Sequence, residues 1–391
     1  MRRLRAATTL LLVMVLMAAC DLAPAEPELP APDDGTSEEA PVEGTPIEDE
    51  SPTAGEAPVE SEPPADLPTG APAGGDLTST FEWSSTAPLL SPQGSDHASV
   101  KDPTVVFADG QWHVFFTTAL TAGGWQMAYT SFTDWSEADA TEYFRLEDSG
   151  IGTGYRAAPE VFYFEPEGLW YLVYQTGNAS YSTNPDINDP SGWSAPQHFY
   201  DGMPQTIADN IGNGHWVDMW VICDDASCYL FSSDDNGHLY RSETSIDEFP
   251  EGFDEPVIAL EDTPNALFEA ANVYKVAGSD QYLLIHEAIG SNGRRWFRSW
   301  TSTDIGGSWT SLADTEPNPF ASAANVTFED GSAWTQDISH GEVARTSVDQ
   351  TLTIDPCNLQ YLYQGVDPSA GGDYNQLPYR LGLLTQTNSA C

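Results

Sequence analysis

The chain has 391 residues, and its 60 acidic residues outnumber its 13 Lys and Arg residues so strongly that the formal net charge is −47. A chain with this charge is repelled by nucleic acids and by anionic membrane surfaces, which excludes both as partners of its folded part. The charge favours an uncharged or a cationic ligand instead.

Residues 1–20 predict a lipoprotein-type signal peptide. Three of the first five residues are Arg, and the apolar run from Leu10 to Met17 is too short to span a bilayer. The small residues before Cys20 resemble the bacterial lipobox, in which that cysteine becomes the lipidated N-terminus; ordinary signal cleavage beside an incidental cysteine is the alternative. We therefore expect a secreted protein anchored to the bacterial cell surface, which contacts a membrane only through a lipid on Cys20.

Residues 21–76 predict a disordered linker. This segment is rich in Pro, and it contains 16 acidic residues but no Lys, Arg or aromatic residue. It cannot bury enough apolar surface to fold, and its proline and like charges keep it extended. The folded domain is therefore expected to occupy residues 77–391, which is long enough for one large domain.

A strand pattern recurs five times in residues 77–391. Each copy has a polar start, an apolar run, a short turn and a second apolar-aromatic run, which is typical of a β-hairpin. The copies start at residues 102, 159, 218, 269 and 340. Helix signals are nearly absent, and this spacing suits about four strands per copy, so the sequence predicts an all-β, five-bladed β-propeller. Residues 79–84 are expected to pair with residues 379–384 and to close the ring.

Equivalent strand positions converge on the axis of a propeller, so the starts of the five copies should meet there. Such a cluster of like charges is costly and is usually kept for chemistry. Two carboxylates are the minimal apparatus for glycoside hydrolysis, and a third can raise the pKa of the acid. The alternative for any one of these side chains is a residue that satisfies backbone N–H groups. The residues concerned are Asp102, Glu160, Asp218, Glu269 and His340.

Four cysteines remain in the predicted domain, an even number that suggests disulfides in an oxidising compartment. Three pairings are open. Cys223 and Cys228 flank a turn and could be joined across a hairpin, and Cys357 and Cys391 would then tie the C-terminal residue to the last blade. Free buried thiols are the alternative, and the spacing does not suggest zinc.

Several longer strings resemble glycoside hydrolase family 62, whose members are α-L-arabinofuranosidases that act on arabinoxylan. The resemblance extends over about residues 79–387 and implies a five-bladed β-propeller, in agreement with the repeats. The strings that carry it are His97–Pro103, Trp216–Cys223, Tyr229–Tyr240, Leu267–Tyr274, Asp337–Glu342 and Tyr361–Gly365.

The resemblance implies an inverting hydrolase that removes single arabinofuranosyl branches from xylan. Asp102 then matches the general base, Glu269 the general acid, and Asp218 the carboxylate that tunes the acid and orients the sugar. Inversion requires the carboxyls of the acid and the base to lie roughly 6.5–9.5 Å apart, which leaves room for a water molecule.

The resemblance also implies roles around these carboxylates. Lys101 should contact the arabinose, and Tyr374 and Asn375 match a loop that closes on the substrate near the xylan chain. His340 matches a histidine near a structural calcium ion held mostly by water, while the chemistry itself needs no cofactor. Glu160 departs from the family, in which Gln is expected, and either adds charge to the axis or points away from it.

Other functions are open at this point. A related five-bladed enzyme with the same carboxylates, such as a β-xylosidase or an arabinanase, is one alternative. A surface protein that binds carbohydrate but has lost catalysis is another. In each case we expect a monomer.

Overall fold

The computed structural model describes residues 75–329 and 331–391. The predictions of a signal peptide, a lipid on Cys20 and a linker ending at residue 76 therefore lie almost wholly outside the described residues. Within the described ranges, no helix is both long and apolar enough to cross a membrane.

Nearly all regular structure in this part of the chain is β-strand. The strands, in chain order, are β1 (Trp83–Ser85), β2 (His97–Ala108), β3 (Gln111–Leu120), β4 (Trp125–Phe132), β5 (Phe144–Arg145), β6 (Ala157–Phe164), β7 (Leu169–Gln175), β8 (Ala179–Asn184), β9 (Gln197–His198), β10 (Val217–Cys223), β11 (Ser227–Ser233), β12 (His238–Ser245), β13 (Val257–Glu261), β14 (Asn272–Val276), β15 (Tyr282–Ile289), β16 (Arg295–Ser302), β17 (Thr310–Thr315), β18 (Asn318–Pro319), β19 (Val326–Phe328), β20 (Ser339–Val343), β21 (Thr353–Ile354), β22 (Gln360–Gly365) and β23 (Arg380–Gln386). The helices are α1 (Gln205–Asn210) and three 3-10 helices at Trp135–Ala140, Leu146–Asp148 and Tyr374–Gln376.

These strands form five sheets, one for each blade, so the prediction of an all-β five-bladed propeller is confirmed. Blades I, II and III each contain four strands in sequence order, β2 to β5, β6 to β9 and β10 to β13. Blade IV has the order β18-β17-β16-β15-β14-β21, and blade V has the order β19-β1-β23-β22-β20. The innermost strands are buried on both faces, which explains why β6 and β10 are almost continuously apolar.

The ring is closed in blade V, where the two ends of the domain meet in one sheet. Strand β1 pairs antiparallel with β23, with Trp83 opposite Gln386 and Ser85 opposite Leu384. It also pairs in parallel with β19. The predicted pairing of the first strand with the C-terminal strand is therefore present, although it joins residues 83–85 to 384–386 rather than 79–84 to 379–384. It leaves no open seam between the first and the last blade.

Trp83 is central to this closure, and replacing it with Ala should destabilise the domain by about 3–5 kcal/mol. Its side chain is 1% exposed, its indole N–H donates to the Phe320 carbonyl at 2.7 Å, and its ring packs against Phe320. Denaturant unfolding would measure the loss. The neighbouring exposed Glu82 provides a control, and equal stability of Trp83→Ala and Glu82→Ala would contradict this role.

The four cysteines of the domain form two disulfides in the structure. Cys223 is joined to Cys228 across the β10–β11 hairpin, and Cys357 is joined to the C-terminal Cys391. The second bond fixes the chain end beyond β23 next to the start of β22, which supports the closure of blade V.

Candidate active site

Four of the five innermost strands have an irregular register near their start. The register shifts lie between Lys101 and Thr104 in β2, Ala157 and Glu160 in β6, Val217 and Trp220 in β10, and Ser339 and Gly341 in β20. Irregularities of this kind bend a strand and redirect a side chain. Four residues near the starts of β2, β6, β10 and β14 adopt a left-handed backbone: Asp102 (φ 48°), Ala158 (φ 51°), Asp218 (φ 56°) and Ala270 (φ 57°).

Near the start of each innermost strand, one backbone N–H donates a hydrogen bond to the preceding blade. An oxygen of a side chain from the neighbouring blade accepts each one, so the strained backbone is held by its surroundings. The same contact in every blade identifies the equivalent residues around the axis. The donors and acceptors are Asp102 and Gln364 at 2.7 Å, Ala158 and Thr117 at 2.8 Å, Asp218 and Gln175 at 2.7 Å, Ala270 and Asp218 at 2.8 Å, and His340 and Glu287 at 2.6 Å.

This equivalence corrects part of the sequence prediction. Asp102, Asp218 and His340 occupy the same place in their blades, but Glu269 lies one residue before Ala270 and Glu160 lies two residues after Ala158. The error has a physical cause, because an irregular strand start shifts the register without changing the apolar run that follows it.

Glu160 is not part of the cluster on the axis. Its side chain is buried, and its carboxylate accepts the Val221 N–H at 2.6 Å, which joins blade II to blade III. Burial raises the pKa of the Glu160 carboxyl well above its usual range. Of the two interpretations of this residue, the structure supports the one in which it points away from the cavity.

One cavity at the axis contains Asp102, Asp218, Glu269 and His340. Lys101 and Tyr374 also line it, whereas Asn375 lies beside Tyr374 in the 3-10 helix Tyr374–Gln376 and is not among the lining residues. The wall includes further residues that the sequence did not single out: Trp125, Tyr155, Ala157, Gln175, His215, Val217 and Asp235.

His340 lies between two of the carboxylates. Its Nδ1 atom is 3.4 Å from an oxygen of Asp102 and 3.6 Å from an oxygen of Asp218. Burial raises the pKa of Asp218 to about 6, with smaller contributions in the same direction from the charges of Asp102 and Asp235, while His340 and the Ala270 N–H act in the opposite direction. Asp218 can therefore hold a proton at a higher pH than an ordinary aspartate, a property that acid–base chemistry uses.

The raised pKa of Asp218 predicts a stability effect that depends on pH. Because this pKa lies above the usual value of 3.8, the folded protein binds more protons than the unfolded chain between those pH values. The contribution of Asp218 to stability is therefore lost as the pH rises through about 6. At pH 8 the free energy of unfolding of Asp218→Asn should exceed that of the wild type by roughly 1–3 kcal/mol, whereas near pH 4 the two proteins should be equally stable. Thermal unfolding at the two pH values measures this, with the exposed Asp225→Asn as a control; a gain that does not change with pH would contradict it.

Glu269 is held by an arginine that the sequence did not indicate. Nη1 of Arg295 lies 3.1 Å from Oε1 of Glu269 and 2.7 Å from Oε1 of the buried Glu287. The pairing of β15 with β16 brings Glu287 and Arg295 to this side of blade IV, a relation that linear spacing does not reveal.

Lys101 lies in an aromatic cage on the opposite wall. Its ammonium group is 4.8 Å from the ring centre of Trp125, 4.6 Å from that of Tyr374 and 5.2 Å from that of Tyr379, and it donates to the Tyr374 hydroxyl at 2.6 Å. These cation–π contacts connect β2 to the segment that carries Tyr374. Lys101 and Tyr374 thus form one wall of the cavity together.

Calcium at His340 stays a prediction. Ca²⁺ takes six to eight oxygen ligands, and the residues described contain no group of three or more His, Cys, Asp or Glu side chains that could hold a metal ion. The Nδ1 atom of His340 instead faces two carboxylates. No step below depends on a metal.

Two of the missed residues have a signal in the sequence. Gln175 and Gln364 both follow a tyrosine at the end of the second strand of a blade, in Leu-Val-Tyr-Gln and Tyr-Leu-Tyr-Gln. Each accepts the N–H of an aspartate on the axis, Asp218 for Gln175 and Asp102 for Gln364. The repeated Tyr-Gln pair could therefore have identified both.

Comparisons with known proteins agree with this geometry. Residues 82–385 match the family model described as "Glycosyl hydrolase family 62". The chain is 45% identical over 313 residues to α-L-arabinofuranosidase C of Cellvibrio japonicus (strain Ueda107), an alignment that covers 79% of this chain and 48% of that protein. The chain thus spans about half the length of that curated relative.

Two solved structures are similar to the chain over nearly the whole of the described domain. The catalytic domain of the GH62 α-L-arabinofuranosidase of Coprinopsis cinerea has a TM-score of 0.79 and 65% identity, covering 81% of this chain and all of that one. The α-L-arabinofuranosidase PaAbf62A of Podospora anserina, solved with cellotriose, has a TM-score of 0.79 and 57% identity with the same coverage. A family match over most of the described domain, together with these relatives, shows that the chain belongs to glycosyl hydrolase family 62.

Proposed function

We propose that this protein is an inverting α-L-arabinofuranosidase that releases arabinose side chains from arabinoxylan. The observation that carries the proposal is the one cavity in which Asp102, Asp218 and Glu269 meet beside aromatic walls. The names of the similar proteins support the choice of sugar. The strong negative charge of the chain suits a neutral polysaccharide better than an acidic one.

In this proposal Asp102 is the general base and Glu269 is the general acid. Asp102 takes a proton from a water molecule, whose oxygen forms a bond to the anomeric carbon. The bond from that carbon to the xylan oxygen breaks, and Glu269 gives its proton to the departing oxygen. Asp218 lies next to His340 and accepts the N–H of Ala270, the residue after the proposed acid, so in this proposal it orients the sugar and places its charge beside that acid. Carboxylates and water suffice, so the proposed chemistry needs no cofactor.

The aromatic side chains bind and orient the sugars. Trp125, Tyr155 and Tyr374 offer flat faces that suit stacking on sugar rings. Lys101 donates to the Tyr374 hydroxyl and so holds that ring in place. In this proposal Lys101 contacts the arabinose, and the segment with Tyr374 and Asn375 contacts the xylan chain.

The test is incubation of the purified protein with wheat arabinoxylan, with products separated by chromatography and the first-formed anomer identified by NMR. Free arabinose in the inverted configuration, with the xylan backbone intact, is expected. Shortened xylan or arabinan fragments would instead indicate a β-xylosidase or an arabinanase. Retained binding without any product would indicate a carbohydrate-binding protein.

We further propose that the protein acts as a monomer at the bacterial cell surface, held there by a lipid on Cys20. The support is the basic and apolar start of the chain and the small residues before Cys20. Metabolic labelling with a fatty acid tests this, because Cys20→Ala should lose the label and release the protein into the medium. An unlabelled wild-type protein would contradict the anchor.

A further inference from the structure

Arg295 lies between the proposed acid and a second carboxylate to which no role has been assigned. Its Nη1 atom is 2.7 Å from Oε1 of Glu287 and 3.1 Å from Oε1 of Glu269. The Glu287 side chain is 0% exposed, whereas that of Glu269 is 13% exposed and faces the cavity. Charges interact more strongly where water is excluded, so Glu287 is the closer and the stronger partner of Arg295.

The position of Arg295 is fixed from several sides. Its guanidinium carbon lies 4.2 Å from the ring centre of Phe268, and its backbone N–H donates to Asp337 at 3.0 Å. The N–H of Glu287 donates to the carbonyl of Glu269 at 3.0 Å, which fixes the distance between the two glutamates. The three charged groups therefore form a rigid unit of blade IV.

The second oxygen of Glu287 extends this unit toward the proposed base. It accepts the Ser339 hydroxyl at 2.8 Å and the His340 N–H at 2.6 Å. Ser339 in turn accepts from Gln364 at 3.0 Å, and Gln364 accepts the Asp102 N–H at 2.7 Å. A continuous chain of buried hydrogen bonds thus connects the groups that hold the acid with the backbone of the base.

The hydrogen bonds indicate that Glu287 is ionised. Burial raises the pKa of Glu287, while Arg295 and the donated hydrogen bonds act in the opposite direction. Arg295, Ser339 and His340 all donate to this carboxyl group, and donated hydrogen bonds together with a cation at 2.7 Å favour its ionised form. The ionised form satisfies all three contacts, so the negative charge of Glu287 offsets the charge of Arg295.

A general acid must keep its proton until the leaving oxygen takes it, and an uncompensated arginine 3.1 Å away would favour its early loss. We propose that Arg295 and Glu287 are a positioning pair for the acid: Arg295 directs the Glu269 carboxyl into the cavity, and Glu287 neutralises Arg295 so that Glu269 can hold its proton. Once the proton has moved to the xylan oxygen, Arg295 stabilises the carboxylate that remains. This inference rests on the proposed role of Glu269.

Other charged groups share the cavity with Glu269 and must stay unchanged in the test. They are Asp102, Asp218, Asp235, Lys101, His215 and His340. Substitution of Arg295 or Glu287 leaves these side chains in place. Because Glu287 also accepts the His340 N–H, the alkaline limb, which reports the acid, is compared with the acidic limb, which reports the base.

The experiment measures kcat/KM against pH for Glu287→Gln, for Arg295→Gln and for the double variant. Glu287→Gln leaves more of the Arg295 charge to act on Glu269, so the alkaline limb should move to lower pH by about one unit. Arg295→Gln should move it to higher pH, and the double variant should return it toward the wild type. Glu261→Gln, an exposed carboxylate at the end of β13, is the control.

A second measurement separates this role from a merely structural one. On arabinoxylan the leaving oxygen needs a proton, whereas 4-nitrophenolate leaves without one. Glu287→Gln should therefore lose about tenfold more activity on arabinoxylan at pH 7 than on 4-nitrophenyl α-L-arabinofuranoside. If the wild type is active, two results would overturn the inference: equal losses of activity on both substrates, or an alkaline limb of Glu287→Gln at the same pH as that of the wild type. A wild type that releases no arabinose would overturn the proposed function itself, and a single variant that fails to fold leaves the other single and the double variant to decide.

Discussion

Asp102→Asn is expected to lower kcat on arabinoxylan by roughly 10²–10⁴-fold, the usual contribution of a general base. Asparagine has nearly the shape of aspartate but cannot take the proton of the attacking water. The binding of arabinoxylan should change little, because the hydrogen-bonding shape of the side chain is retained. Steady-state kinetics on arabinoxylan measures the effect.

The fold should survive this substitution. Asp102 has a left-handed backbone with φ 48°, which asparagine adopts more easily than most residues do, and its N–H contact to Gln364 is unchanged. Asp109→Asn is a matched control, because Asp109 has φ 51° at the turn of the same hairpin but is exposed and far along the strand from the cavity. Near-wild-type activity of Asp102→Asn would remove the assignment of the base.

The blade count and the closure of the ring could be predicted from the sequence because both depend on local patterns. Apolar runs joined by short turns identify hairpins, and five hairpins at similar spacing suffice to indicate a propeller. The pairing of β1 with β23 followed from the same argument, since an unpaired strand at each end of the domain needs a partner.

The register at the axis could not be predicted in the same way. The starts of β2, β6 and β10 contain irregular residues whose backbone is left-handed, and an apolar run does not show where such a residue falls. Glu160 illustrates this, because it follows the left-handed Ala158 by two residues and occupies the place of Thr104 in blade I. Both residues accept an N–H from the next blade, Val221 for Glu160 and Val161 for Thr104.

Groups that act through a neighbouring strand were also beyond prediction. Arg295 and Glu287 are eight residues apart, and neither belongs to a repeated string. They meet Glu269 only because β15 and β16 pair in one particular register beside the start of β14. The carboxylates Asp102, Asp218 and Glu269 were thus easier to predict from the sequence than the buried charges that support them.

Glu269→Gln should cause a loss that depends on the leaving group. On arabinoxylan, where the departing oxygen must be protonated, kcat/KM should fall by roughly 10²–10⁴-fold, whereas on 4-nitrophenyl α-L-arabinofuranoside it should fall by less than about tenfold. The alkaline limb of the pH profile should disappear, because that limb reports the loss of the acid's proton. The glutamine oxygen can still accept from Arg295, so the side chain should keep its place.

Comparison of the two substrates at one pH, together with a thermal unfolding curve, measures this outcome. Glu316→Gln is a suitable control, because Glu316 is an exposed glutamate of the same blade whose carboxylate accepts hydrogen bonds from Ser291 rather than facing the axis. If Glu269→Gln lost the same factor on both substrates, Glu269 would be binding the sugar rather than protonating the leaving oxygen. The acid would then have to be sought among the other carboxyls of the cavity, which include Asp218, whose pKa burial raises to about 6.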